Sequence, residues 1–321
     1  TRRTPDEVPG EVHVGIFAIV NPASDNGATA KRWRKILAVL QKKVSGFEWR
    51  FTESPGHATE IAREALHAGA TKIVSVGGDG TNNEVVNGFF EDGQQINEDA
   101  VLCILPSGTA CDFAKVFHIP KNIEVAADVL VNGRPRRCDL GKASFRSHEG
   151  NAVERYFLNV ADLGIGGETV ERVNRTTKAF GPLVSYLYGF LVTLLKYKNK
   201  SVQLVVDDKD LGNNIVKAVA ISNGRYCGGG IQVAPHASVD DGLFDILIVG
   251  NIGCRDTLKQ LPKLYAGKPL LHRELRMMRG KCISATSSEK VLIDFDGEQP
   301  GMLPASFEIV PRGIMVQAPA S

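Results

Sequence analysis

The sequence predicts a three-layer α/β domain followed by a β-rich domain built as an antiparallel sandwich or barrel. Apolar runs suited to strands alternate with amphipathic helical stretches from Val14 to Phe117, which implies a parallel sheet with helices on both faces. After Gly133-Arg134-Pro135 the pattern changes to short β-like runs separated by Gly and Asp turns. Few of these runs are joined by a full crossover helix, so antiparallel pairing is expected. The division expected is residues 11–135 for the first domain and 136–305 for the second, with 306–321 returning to the first.

The first strand is Val14–Val20, which runs into Asn21-Pro22, and Trp33, Ile36, Leu37 and Leu40 then mark one face of a helix. Glu48–Thr52 reads as the second strand, and Ala58–Ala68 is an amphipathic helix closed by Gly69. The third strand, Ile73–Val76, runs into Gly77-Gly78-Asp79-Gly80-Thr81 and a helical stretch from Asn82 to Phe90. Val101–Leu105 is the fourth strand, and Pro106-Ser107-Gly108-Thr109 leads into a helix over Ala110–Phe117. In the second domain the β-like runs are Tyr156–Val160, Val202–Val206, Val216–Ser222, Leu243–Val249, Val291–Phe295 and Phe307–Val310. Helical stretches interrupt them near Glu168–Asn174, Leu183–Tyr197 and Arg255–Tyr265.

Composition limits the function classes. A chain of 321 residues, 43% hydrophobic and 23% charged, has ample apolar material for two packed domains. Its net charge of +2 provides no global field for nucleic acid, so no nucleic-acid partner is expected. The longest uncharged stretch, Ala179–Leu195, falls short of the ~20 apolar residues that span a bilayer. Thr1-Arg2-Arg3 continues into acids and prolines without the apolar core of a secretory signal, so a cytoplasmic location is expected. Cys103, Cys111, Cys138, Cys227, Cys254 and Cys282 form no CxxC pair and no zinc spacing, and read as reduced thiols.

Three glycines in the four residues Gly77 to Gly80 permit a sharp strand-to-helix turn whose bare amides can face a phosphate. Asp79 within it is suited to a Mg2+ ion beside those phosphates. The structural alternative is an ordinary turn with an acid at a helix N-terminus. In an open parallel sheet ligands lie at the carboxyl ends of the strands. Here those ends carry Asn21, Thr52, the glycine turn with Thr81 and Asn83, and Thr109, which outline one nucleotide-sized rim. No Walker P-loop and no HRD or DFG triplet is present. Asp294, Asp296 and Glu298 form a late acidic cluster; two apart in a strand, the first two would share a face, and Gly297 would present Glu298. Crowded carboxylates raise one another's pKa and can act as a base or a metal clamp. A cation for a γ-phosphate is available from Lys31, Arg34, Lys115 or Arg225, with nothing local to choose among them.

The order NP, GGDGT, LPSGT-x-x-DFA resembles the diacylglycerol kinase catalytic-domain family, which includes bacterial diacylglycerol kinases, sphingosine kinases and ceramide kinases. The resemblance covers most of the chain and implies a Rossmann-like first domain and a β-sandwich second domain, as in NAD kinase and diacylglycerol kinase. It implies that Asn21, Thr52, Gly77, Gly78, Asp79, Gly80, Thr81, Asn83 and Thr109 bind ATP. The family usually has Asn where this chain has Cys111, before Asp112-Phe113-Ala114. Asn223 to Gly230 resembles the family's glycine-rich stretch, and Ala234 to Leu243 its A-P-x-A-x-x-D-D-G segment. The second implies a Mg2+ ion on the Asp241 carboxylate with the carbonyls of Ser238 and Leu243. The family's D-G-E element implies that Asp296 or Glu298 deprotonates the acceptor hydroxyl.

The resemblance as a whole implies a lipid kinase using ATP and Mg2+, with Asp79, Asp296 and Glu298 as catalytic residues. Its acceptor would be diacylglycerol, a sphingoid base or a ceramide. Such an enzyme meets its substrate at a membrane surface, at least transiently, and the family's tendency toward dimers extends the expectation to a homodimer. The segment Gly181–Val192 is apolar nearly all round and is followed by Lys196, Lys198 and Lys200, which suits core, an acyl pocket or membrane contact. The competing readings are an NAD kinase-like enzyme, whose family shares the GGDGT turn, and a non-catalytic sensor of a nucleotide or lipid.

Overall fold

The computed structural model describes residues 15–175, 182–268, 270 and 272–320. The start of the apolar segment read from Ala179, the N-terminal Thr1-Arg2-Arg3, and the residues placed at the head of the first strand and first domain lie outside that set.

Four parallel strands open the fold. Ile16–Val20 lies between Glu48–Phe51 and Lys72–Gly77, and Lys72–Gly77 in turn pairs with Val101–Pro106. The three inner strands are short and apolar with β-branched residues and are buried almost throughout, which suits strands covered on both faces, whereas the edge strand Glu48–Phe51 is mostly exposed. Helix Ala28–Lys43 turns Trp33, Ile36 and Leu40 to the core and packs beside helix Ile123–Asn132. Helix His57–His67 packs beside helix Asp79–Asn87, forming a second helical layer.

The long strand Glu298–Ala318 ties the parallel sheet to the β-rich half. It begins against Leu292–Phe295, pairs antiparallel with Arg134–Ser147 from Gly301 to Ala318, and ends parallel to Val101–Pro106 through Met315 and Val316. One sheet therefore continues across the molecule, in the order 275–280, 244–249, 218–222, 160–164, 292–295, 298–318 and then the four parallel strands. Strands Lys200–Val206, Lys209–Val216, Cys282–Thr286 and Ala152–Phe157 join it off that path. The core of the β half is aromatic: Phe157 lies 5.8 Å from Phe295 and 5.7 Å from Phe244, stacked on both, with Phe307 edge-on.

The fold class matches the expectation, and the differences in detail have physical causes. Helix 79–87 starts at Asp79 rather than Asn82, because Gly78 acts as N-cap in extended geometry and the rest of the glycine turn is already helical. The run Tyr156–Val160 divides into Ala152–Phe157 and Val160–Gly164, interrupted at Leu158-Asn159, whose amides are bound by a carboxylate. Phe307–Val310 is the middle of the 21-residue strand. Asp294 and Asp296 do not share a strand face. The strand ends at Phe295, and Asp296-Gly297, at φ 51° and 91°, makes the two-residue hairpin turn before Glu298, with the positive φ values that an Asp-Gly turn supplies.

Candidate active site

The site forms where helix 79–87 meets the Asp296-Gly297 hairpin. On the rim, Asn21 donates through Nδ2 to Thr81 Oγ1 at 3.0 Å, and Thr52 is buried where its amide bonds the Val20 carbonyl at 2.9 Å. The glycines are required by close approach. A Cβ on Gly108 would lie 2.3 Å from Gly78 Cα, one on Gly77 2.3 Å from Thr81 Oγ1, and one on Gly80 2.8 Å from Glu298 Oε1. Gly78 contributes no side-chain cap, so the first-turn amides of helix 79–87 meet no acceptor from their own cap. Thr109 gives its hydroxyl to Asp25 Oδ1 at 2.9 Å.

Asp79 faces the next helix. Its oxygens accept the amides of Asp112 at 3.0 Å and Phe113 at 2.9 Å, so it caps Asp112–Val116 from outside. Burial, with Asp112 nearby, raises its pKa from 3.8 to about 6. This cap accounts for Cys111. The residue sits at φ 53°, ψ 48° with no capping bond of its own, and its thiol lies 3.3 Å from the Gly108 carbonyl. Asn tolerates that left-handed geometry better than Cys, and its amide has the Gly108 carbonyl within reach. Cys111→Asn is therefore expected to stabilise the fold by about 0.5–1 kcal/mol, read from the urea midpoint; an unchanged or lower midpoint would refute this.

Asp296 is held by four donors: the amides of Leu158, Asn159 and Val160 and the Asn83 side chain, at 2.8–3.1 Å. Burial raises its pKa while those donors oppose the shift. These contacts engage both Asp296 oxygens and, through Asn83, tie the hairpin to helix 79–87. Glu298 is differently placed. Burial raises its pKa, the paired Arg155 guanidinium opposes that, and one carboxylate oxygen lies over Gly80. Arg155 also donates to Asn83 Oδ1 at 2.9 Å, so a single guanidinium bridges helix 79–87 and the hairpin.

Beside the hairpin opens a cavity of about 440 Å³. Asp79, Thr109, Asp112 and Asp296 border its polar end, while Val170, Leu187, Phe190, Leu261 and Leu264 supply apolar wall. Two further carboxylates face it. Asp162 and Asp294 are register partners on adjacent strands. Burial raises Asp162 to about 7 and Asp294 well above the usual carboxylate range, the latter helped by Asp162 alongside. Asp294 Oδ1 has no hydrogen-bond partner among the described residues. Glu298 lines a second cleft, with Pro55, Gly56, Glu84, Arg155 and Tyr156.

The structure thus brings Asn21, Gly77 to Thr81, Asn83, Asp296 and Glu298 together, with Thr52 and Thr109 on the same rim. Ser238, Asp241 and Leu243 form a separate turn, in which Asp241 pairs with Arg279 and accepts the Leu243 amide at 3.1 Å. Among the described residues no three acidic, histidine or cysteine side chains cluster as a metal-binding group. The glycine-rich stretch closes over the cavity, where the Gly229 amide donates to Asp112 Oδ2 at 2.8 Å. Of the cations considered, Lys115 pairs with Asp112 at 2.6 Å and Arg225 bonds the Ala237 carbonyl at 2.9 Å. Arg155 and Asp162 were not legible as site residues. Arg155 stands in a surface-like Glu-Arg-Tyr context, while Asp162 interrupts an apolar strand, which is the one signal in the sequence of a buried acid there.

These features define a class of protein: a parallel α/β half and an antiparallel β half joined by one sheet, with a glycine turn and an acidic hairpin at the junction. The diacylglycerol kinase catalytic-domain model matches residues 15–143, and the YegS C-terminal NAD kinase beta sandwich-like domain matches residues 159–318. The chain is 30% identical over 305 residues to a diacylglycerol kinase of Staphylococcus aureus, covering 94% of this chain and 91% of that one. It is 29% identical to one of Staphylococcus saprophyticus, covering 94% of each. A crystal structure of a protein from Bacillus anthracis superposes with a TM-score of 0.74 at 25% identity, covering 94% of this chain and 96% of that one. The chain belongs to the diacylglycerol kinase family of lipid kinases.

Proposed function

We propose that this protein transfers the γ-phosphate of ATP to the hydroxyl of a membrane lipid, diacylglycerol or a sphingoid base or ceramide. The observation that carries the reading is the junction itself, where a bare-amide glycine turn and Asp79 stand between the Glu298 carboxylate and a largely apolar cavity. The amides of Gly78 to Thr81 would hold phosphate oxygens, with Asn21, Thr52, Asn83 and Thr109 setting the rim. Glu298 would accept the proton of the attacking hydroxyl, and burial raises its pKa above the ordinary carboxylate value, which makes it a stronger proton acceptor. Asp296 would keep that hairpin in register. The apolar wall would take the lipid chain, which an NAD acceptor does not need.

Mg2+ carried with ATP beside Asp79 would neutralise charge on the phosphates, which is the main catalytic requirement of phosphoryl transfer. The Asp241 carboxylate, with the carbonyls of Ser238 and Leu243, would hold a second Mg2+. The donor set is all oxygen, as Mg2+ requires, and Arg279 must release Asp241 for the ion to bind. Mg2+ is expected to raise the thermal midpoint of the wild type but not of Asp241→Asn; equal responses would remove this site.

The test of the function is transfer of labelled phosphate from ATP to diacylglycerol, sphingosine, ceramide and NAD. Labelling of a lipid and not of NAD is expected. Labelling of NAD alone would establish the NAD kinase reading, and ATP or lipid binding without transfer to any acceptor would establish the sensor.

A further inference from the structure

Helix Pro182–Lys196 is wedged between the cavity and solvent. Gly189 is buried on its inner side, where a Cβ would lie 2.6 Å from Val173 Cγ2, so the helix packs tightly on Ile165–Arg175. Tyr186, Leu187 and Phe190 line the cavity. The outer side is apolar as well. Val184, Leu187, Tyr188, Leu191 and Leu195 are 54%, 41%, 62%, 45% and 76% exposed. At 100° per residue these five positions form one stripe about 100° wide along the helix. Helix Cys254–Tyr265, which walls the same cavity through Leu261 and Leu264, also exposes apolar side chains, Leu258 at 40% and Tyr265 at 42%.

Charge on these two helices is mostly positive, with Asp256 paired to Lys259. Helix 182–196 contains no acidic residue, ends at exposed Lys196 and is followed by exposed Lys198. Helix 254–265 and the residues after it carry Arg255, Lys259, Lys263 and Lys268 against Asp256 alone. An aqueous face of this kind leaves apolar side chains in water, whereas at a lipid interface they enter the acyl boundary and the cations meet anionic headgroups. No helix among the described residues is long and apolar enough to cross a membrane, so the stripe suits lying on a bilayer.

We infer that helix 182–196, with the exposed edge of helix 254–265, is the surface by which the protein docks on an anionic bilayer, placing the cavity mouth against the lipid. This rests on the lipid-kinase reading for its purpose but not for its test. Vesicles of phosphatidylcholine with and without phosphatidylglycerol are floated with wild type, with Tyr188→Ser/Leu191→Gln/Leu195→Gln, and with Lys196→Glu/Lys198→Glu. None of these five side chains lines the cavity. Wild type is expected to float with the anionic vesicles, and the apolar triple variant to bind them at least about tenfold more weakly with an unchanged thermal midpoint. The lysine variant is expected to lose binding at low salt. With a lipid acceptor the triple variant keeps its activity in detergent micelles and loses it in vesicles. Vesicle binding that all variants retain, or that ignores phosphatidylglycerol, overturns the inference. So does a concentration-dependent dimer that the triple variant dissolves while wild type ignores vesicles, since a second copy would then cover the stripe. Absence of phosphate transfer by any form, with vesicle binding still sensitive to these residues, overturns the kinase reading alone.

Discussion

Glu298→Gln is expected to lower kcat by about a hundredfold to ten-thousandfold, the usual contribution of a general base, with little change in the KM for ATP. Gln keeps the shape over Gly80 and removes only the capacity to take a proton. The pH profile supplies a second readout. Burial raises Glu298 above the ordinary carboxylate range, and the base works only when deprotonated, so kcat/KM in the wild type should climb with pH through that raised value. Arg155 favours the charged form, which places the Arg155→Met variant's acid limb at higher pH than the wild type's. Arg155 also holds Asn83, so thermal midpoints are measured alongside. If Glu298→Gln retains full kcat, the proton leaves by another route; an acid limb in Arg155→Met that stays in place would show that the ion pair does not tune the base.

Asp79→Asn should separate activity from stability. The native pKa lies above the ordinary one, so the native state binds the proton more tightly than the unfolded chain. Stability from this group is complete below pH 3.8 and is lost as pH rises to about 6. At pH 7 the ionised group costs at most about 3 kcal/mol, and losing one of two acceptors for the Asp112 and Phe113 amides returns part of any gain from removing it. The expected net result at pH 7 is a thermal midpoint a few degrees above wild type, with the difference vanishing near pH 4. Activity should meanwhile fall by at least about a hundredfold. A cap serving only the fold would lower both together, and that outcome would return Asp79 to a structural role.

The rim residues were legible because each stands at the end of a strand that the hydrophobic pattern marks plainly. Asn21, Thr52, the glycine turn and Thr109 come after strands that pair in parallel, so their adjacency comes directly from the strand order. The acidic elements were less legible. Read as a strand, Asp294 to Glu298 puts its first two carboxylates on one face. The Asp-Gly dipeptide instead makes a hairpin that sends Asp294 to the cavity, Asp296 into a nest of amides and Glu298 toward Gly80.

The sequence by itself determined the local chemistry: where strands end, where glycines are needed and which segments carry acids, because periodicity and turn propensity act over a few residues. Only the tertiary structure decided the partners. Asn83 meets Asp296 from 213 positions away, Asp162 faces Asp294 across a strand pair, and Arg155 joins Asn83 to Glu298. Those contacts exist because the strand Glu298–Ala318 runs from the β half into the parallel sheet, carrying the hairpin to the glycine turn. Burial at that junction, a property of the assembled sheet, raises the carboxylates that the sequence could show only as acids.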